Sequence, residues 1–280
     1  MNQQPLVSIV TPTKNRGKYI KRAIESVLNQ TFNNIELIIV DGGSTDNTKE
    51  VVKSYLTDPR IRYIYKEDRH ATEGLNNGIE ISEGKYISIL DSDDFWCNSR
   101  KLEKQVQFLE DHPDYVLIGG GAIAIDEDGK ELYRVLPPER DEEIRKVMLF
   151  DCVFQHGTIM FRKDVLEKVG GYDEKMIFSW DWDLWLRCGK FGKFYNLQEY
   201  FLYYLIRKET KTKYIRQQNA KFNLRLKLKY HNKYPNFWKA YLLGLGCYFA
   251  SLFPHQEWFS KMLIIPKIKN LFFRRQIYKK

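Results

Sequence analysis

Acidic side chains almost vanish from the end of this chain. Residues 201–280 hold 18 Lys and Arg against only Glu209 and Glu257, a balance of +16, whereas residues 1–200 balance at −7 and the whole chain at +9. Charge asymmetry of this kind points to a polyanionic partner surface for the tail, membrane or nucleic acid. Cysteine is also scarce. Cys97, Cys152, Cys188 and Cys247 form no CxxC pair, which excludes a disulfide framework and a zinc site and fits reduced thiols in the cytoplasm. Long apolar runs are missing too. The uncharged run at 240–253 has 14 residues, short of the roughly 20 that span a bilayer. The start, Met1-Asn2-Gln3-Gln4-Pro5, lacks a basic n-region and a following apolar stretch, so no secretory signal is expected. Repeats and low-complexity tracts are absent. What remains, 43% hydrophobic and 15% aromatic residues, suffices for a sizeable core.

Along the first hundred residues apolar strands alternate with helical spacing. Strand patterns fall at 6–11, 35–40, 61–65 and 85–90, and helical patterns at 19–28, 45–56, 72–81 and 98–110. That alternation predicts βαβ units and a parallel sheet. Further on, 115–125 reads as one or two strands, Asp128-Gly129 as a hairpin turn, 142–150 as a helix, 158–162 as a strand, 163–169 as a helix stopped by Gly170-Gly171, and 182–188 as a helix. In the tail, 221–230 alternates apolar and basic residues but has no β-branched member, which favours a helix. The 240–253 run is a core or an interfacial helix, and 258–280 mixes aromatic with basic side chains in a way that suits an anionic headgroup zone.

The chemistry concentrates after Leu90. An apolar strand runs into Asp91, Asp93 and Asp94, at the edge of an open α/β sheet where ligands bind. Crowded carboxylates there suit a hard divalent cation that keeps a substrate diphosphate in its shell. Two other strand ends join them. One is Val7-Ser8-Ile9-Val10-Thr11-Pro12-Thr13-Lys14-Asn15-Arg16. The other is Ile39-Val40-Asp41-Gly42-Gly43-Ser44-Thr45-Asp46, whose acidic strand end can bind ribose or a base N–H, or simply cap a turn.

With Ala23-Ile24-Glu25-Ser26-Val27-Leu28-Asn29-Gln30-Thr31, Asn76-Asn77-Gly78-Ile79, Gly170-Gly171-Tyr172-Asp173-Glu174 and Asp181-Trp182-Asp183-Leu184-Trp185-Leu186-Arg187, these segments resemble the family 2 glycosyltransferases over most of residues 5–205. The resemblance implies the GT-A fold, an α/β Rossmann-like nucleotide-diphospho-sugar transferase with a mostly parallel central sheet, a nucleotide-sugar donor and Mg²⁺ or Mn²⁺. It sets Thr11, Pro12 and Thr13 against the nucleoside, with Asn15 and Arg16 in the same loop, and Asp41 on the base or ribose. It makes Asp91-Ser92-Asp93 the metal-diphosphate motif, with Asp93 the first choice for metal contact and Asp91 nearer the ribose. Arg69 and Asn76 fall near donor-contacting positions, although the stretch His70-Ala71-Thr72-Glu73-Gly74-Leu75 departs from the commonest family pattern. The base that takes the acceptor proton aligns with Asp181, with Asp183 the alternative. Trp180 stands where relatives often carry Glu. It and His156 are the candidate acceptor contacts.

These readings assemble into a metal-dependent inverting hexosyltransferase. A GT-A domain at 1–205, nucleotide-binding to about 115 and acceptor-binding from about 116, carries a basic amphipathic helical tail at 206–280. The expected donor is a UDP-sugar, and the acceptor a saccharide or lipid-linked saccharide in surface polysaccharide synthesis. The expected place is the cytoplasm, with the tail docked on the inner face of the plasma membrane or packed on the catalytic domain. A nucleotidyltransferase is the alternative enzyme, but residues 11–16 lack the glycines of its usual loop. A non-catalytic nucleotide-sugar-binding protein would have no use for Asp181 and Asp183. No nucleic-acid-binding module is recognisable.

Overall fold

The computed structural model describes residues 4–207, 213–252 and 274–277. Its first half is β1 (Val7–Thr13), α1 (Ile20–Leu28), β2 (Ile35–Asp41), α2 (Thr48–Lys53), β3 (Ile61–Tyr65), α3 (Ala71–Glu80), β4 (Tyr86–Ile89), β5 (Phe95–Trp96) and α4 (Lys101–Asp111). There follow β6 (Tyr115–Ile125), β7 (Glu131–Leu136), α5 (Asp141–Val147), a 3₁₀ turn at His156–Thr158, β8 (Met160–Arg162), α6 (Lys163–Val169) and α7 (Trp180–Cys188). The chain continues with β9 (Lys193–Leu205), α8 (Lys213–Lys229), α9 (Phe237–Leu252) and β10 (Arg274–Ile277).

One sheet organises the molecule, in the order β10-β7-β6-β8-β4-β1-β2-β3, with β9 paired to both β6 and β5. Pairing is parallel through β4, β1, β2 and β3 and between β6 and β9. The inserted β8 and the β6–β7 hairpin run antiparallel. Parallel strands need both faces covered, and β1, β2 and β4 are buried along their whole length. Side chains alternate between two cores. Ile9, Leu37 and Ile39 pack with Ile20, Ile24 and Val27 of α1 and Leu102 of α4. Val10, Ile87 and Ile89 pack with Leu75 of α3 and Leu184 and Trp185 of α7.

The differences from the sequence expectations have local causes. β1 extends through Pro12, which pairs with Val40 beyond the last β4 contact at Val10, so the missing proline N–H removes no ladder bond on that side. α2 is shorter than 45–56, because Asn15 Oδ1 takes the N–H groups of Thr45 (2.8 Å) and Asp46 (3.3 Å) and delays helix entry. The long strand β9 and the short β5 were not expected. β9 mixes Gln198 and Glu199 with aromatics and shows no clean alternation. Residues 274–277 form a strand on the free edge of β7, which corrects the reading of a wholly helical tail. The rest of the aromatic-basic segment expected at 258–280 lies outside the described residues. Among the described residues no helix is long and apolar enough to cross a membrane.

Candidate active site

Strand register brings the site together. Thr13 pairs with Asp41, and Asp41 with Tyr65, so β1, β2 and β3 end level, while Leu90 donates its N–H to Val10 at the end of β4 (3.1 Å). The loops that follow all leave by one edge, the ligand edge of a parallel sheet.

At the β1–β2 corner the Thr11 and Thr13 hydroxyls are buried without a hydrogen-bond partner. Asn15, at φ 54°, ties its own loop to the 44–46 loop through both backbone and side chain. Asp41 is fully buried, and its carboxylate accepts from Gly43 N–H (3.1 Å), Ser44 N–H (2.8 Å) and the Tyr63 hydroxyl (2.7 Å). Its bonds are those of a turn-forming residue. Asp68 was missed in the sequence. Its side chain is 7% exposed, with Lys14 at 3.8 Å as its ion-pair partner. It packs so closely on the next strand's loop that a Cβ at Gly42 would lie 2.2 Å from its Oδ2. Burial, against the Lys14 charge, pushes this carboxyl up. The signal available was an Asp in the loop three residues beyond β3.

The acidic loop is asymmetric. Asp94 is buried, and its Oδ1 accepts the Leu205 N–H (2.9 Å), which pins the end of β9. Burial and the Asp91 charge hold that carboxyl well above the usual range. Asp93 meets two guanidiniums, Arg16 at 3.3 Å and Arg207 at 3.5 Å. Burial first, then repulsion from Asp91, raises the Asp93 carboxyl, and the two arginines offset only part of this. Arg207 was not singled out in the sequence. It arrives because Asp94 anchors Leu205 two residues earlier. Ser92 is buried between the two outer aspartates.

Asp91 faces the other way, with Oδ2 3.1 Å from His156 Nδ1, while His156 Nε2 lies 3.0 Å from the Tyr172 hydroxyl. Burial works against the Asp91 charge, but His156 outweighs it and holds the carboxyl low. The same pair lifts the imidazole against its own burial. The turn carrying His156 is clamped from behind. Trp96 Nε1, Gln105 Nε2 and Ser88 Oγ donate to the carbonyls of Gly157 (2.7 Å), Thr158 (2.8 Å) and Ile159 (2.7 Å). Lys101, fully buried, donates to Ser88 Oγ (3.0 Å) and Gln105 Oε1 (2.8 Å) and stacks over the Trp96 ring at 4.1 Å. One buried amine thus joins all three supports of the His156 turn.

The first turn of α7 packs against His156 and Tyr172. The Trp180 ring meets His156 edge-on at 4.9 Å and Tyr172 at 5.4 Å. Asp181 Oδ1 accepts the Trp182 N–H (2.7 Å), and its Oδ2 faces the Cys152 thiol at 3.6 Å. Burial raises the Asp181 carboxyl, with His156 opposing, and the Asp91 charge adds to the rise. Asp183 is used differently. It is fully buried and bonded to Arg187 (2.7 Å), Lys229 (2.7 Å) and the Tyr230 hydroxyl (2.9 Å), so its carboxylate serves the packing of α7 on α8. Asn76 is likewise occupied. Its amide bridges Tyr172 N–H and C=O and Glu174, which fastens α3 to the 170–174 loop. Arg69, 82% exposed, pairs with Glu73 at 2.8 Å.

The geometry brings Asp91, Asp93, Arg16, His156, Trp180 and Asp181 together at one edge of the sheet, and bonds Asn15, Asn76 and Asp183 into the surrounding loops and helices. A sheet of this order, with its ligand-edge loops gathered at one end, has the GT-A fold. The Glycosyl transferase family 2 model matches residues 8–170, and the chain belongs to that family, which sets the nucleotidyltransferase alternative aside. An uncharacterised glycosyltransferase of Methanocaldococcus jannaschii is 35% identical over 88% of each chain. The EpsE protein of Bacillus subtilis, named as a glycosyltransferase, is 37% identical over 71% of this chain and 72% of its own. Among solved structures, residues 1–349 of S. aureus TarS in complex with UDP superpose with a TM-score of 0.63 at 16% identity, covering 95% of this chain and 77% of that one. The mannosyltransferase PcManGT of Pyrobaculum calidifontis, in complex with GDP-Man and Mn²⁺, gives 0.64 at 17% identity, over 92% and 72%.

Proposed function

We propose that this glycosyltransferase moves a hexose, with inversion, from a nucleotide-diphospho-sugar to a hydroxyl of a saccharide or lipid-linked saccharide in surface polysaccharide synthesis. One observation carries the reading: His156 links the Asp91–Asp93 pair to the first turn of α7, where Asp181 stands. The proposed donor and acceptor groups therefore stand side by side across His156. A UDP-sugar is the first donor to test, and TarS and PcManGT, named with UDP and GDP-Man, support a nucleotide sugar.

Each residue has a task. The unpartnered Thr11 and Thr13 hydroxyls and the Asp68 carboxylate offer hydrogen bonds to the nucleoside. Arg16 and Arg207 present planar guanidiniums to the diphosphate, a geometry matched to phosphate oxygens. Asp181, raised by burial, takes the proton of the acceptor hydroxyl as it attacks the anomeric carbon. Trp180 and His156 wall the acceptor side. The donor set suits Mg²⁺ or Mn²⁺, since Asp93 and Asp91 supply oxygen ligands and repel each other without a cation. Among the described residues no cluster of three or more His, Cys, Asp or Glu forms a complete protein site, so the two aspartates would hold the ion jointly with the donor diphosphate. When bound, that ion offsets the charge of the departing diphosphate.

The test is a panel of UDP-, GDP- and dTDP-sugars with Mg²⁺ or Mn²⁺, read as donor hydrolysis and as product anomeric configuration. Expected are metal-dependent turnover of one nucleotide class and its near-complete loss in Asp93→Asn. Retained configuration in the product would refute single displacement. An Asp93→Asn protein with unchanged turnover would refute the donor site.

A further inference from the structure

We propose that the α8–α9 hairpin is a docking element that lies flat on an anionic lipid bilayer. This deepens the proposed function by naming where a lipid-linked acceptor would be met, and rests on that reading for this consequence alone. The first observation is that α9 is built inside out. Its buried positions are small: Ala240, Gly244 and Ser251. The helix sits so close to α8 that a Cβ at Gly244 would come within 3.0 Å of Leu224 and Lys227 side-chain atoms. Its outer positions are large and apolar, with Trp238 72%, Leu242 64%, Phe249 57% and Leu252 39% exposed. With Leu245 these fall within an arc of about 80° on a helix of 3.6 residues per turn. A helix facing water shows the reverse distribution. Small residues at the helix contact and large apolar ones outward are the arrangement used against lipid.

Length decides how the helix lies. Sixteen residues rise about 24 Å, less than the ~30 Å hydrocarbon core, so α9 rests in the plane of the interface with its stripe buried. Charge decides which surface it meets. Residues 213–252 contain no Asp or Glu, and Lys221, Arg225, Lys233 and Lys239 are exposed on the same hairpin. A second copy docking through this stripe would bring like charges together. An anionic bilayer accepts both the cations and the apolar stripe.

The hairpin is bonded to the catalytic machinery. Lys229 and Tyr230 bind Asp183 in α7, and Ser179, at the start of α7, binds Asn219 and Asn223 in α8. Docking would therefore hold Trp180 and Asp181 at a set height above the lipid.

Flotation of the full chain tests this with vesicles of phosphatidylcholine alone and of phosphatidylcholine mixed with phosphatidylglycerol. The protein should float with the mixed vesicles. The triple variant Trp238→Ser/Leu242→Ser/Phe249→Ser should lose about tenfold in floated fraction, with melting temperature and donor hydrolysis unchanged. Lys221→Glu/Arg225→Glu should lose the preference for phosphatidylglycerol. A parent protein left at the bottom of the gradient, or a triple variant that floats as the parent does, would overturn the proposal. So would a dimer that the triple variant abolishes, which would give the stripe to a second copy. Flotation needs no sugar donor, so a failed transferase assay and failed docking remain separate results.

Discussion

In the proposed mechanism proton transfer depends on Asp181. Burial raises its carboxyl above 3.8, the ordinary value, and a base must be ionised to act. Activity should therefore rise with pH through an acid limb that lies above the usual carboxylate range. In Asp181→Asn that limb should vanish, with kcat down by about 10²–10⁴ and donor binding retained, as read from pH–rate profiles and donor Kd. Lys101 makes a different prediction. Burial holds its amine well below the usual lysine value, so the unfolded chain binds a proton that the folded one lacks. Stability should then rise as pH climbs from the folded pKa towards the unfolded one near 10.5. Lys101→Met should flatten this rise in Tm on the acid side of pH 10.5. It should also lower kcat more than donor KM, because Ser88 and Gln105 lose the donor that steadies them beneath His156.

Among the elements, α7 is held from both sides, by Tyr172 and His156 at its start and by α8 through Asp183. Lys229, Arg187 and Tyr230 outweigh the burial of Asp183 and depress its carboxyl. The stabilisation is present above the unfolded value of 3.8 and is lost as pH falls through the lower folded one. Asp183→Asn leaves cations facing a buried amide, and unfolding free energy should drop by about 3 kcal/mol, measurable by urea denaturation. This helix also shows what sequence could reveal. Asp181 and Asp183 lie two apart and both suit a first turn. The distinction between them comes from the end of α8, where Lys229 and the following Tyr230 reach Asp183. The strand-helix alternation to Leu90 was legible because each period is local. β9 was not, since its strand character comes from long-range pairing with β6 and β5.

For the molecule as a whole, the common edge of the strands was readable wherever a strand ran into a polar loop, as at Thr13, Asp41 and Asp91. Long-range closure hid the rest. Asp41 proved to be satisfied by Tyr63 and its own turn, Asp68 took Lys14 as its ion-pair partner, and Arg207 came to Asp93 from the end of β9. The tail's charge was plain in composition, whereas the inverted face of α9 required knowing which side met α8. That same link between Asp94 and Leu205 sets a limit on shortening the protein. Trimming to the span of the family match, residues 8–170, would strip β9 from β6 and expose a bare strand edge that invites self-association. Stopping at residue 205 would keep β9 on β6 yet remove β10 from the edge of β7 and one of the two guanidiniums at Asp93. On the proposed role of Arg207, the smallest working enzyme would reach past β9, to the arginine that this strand delivers.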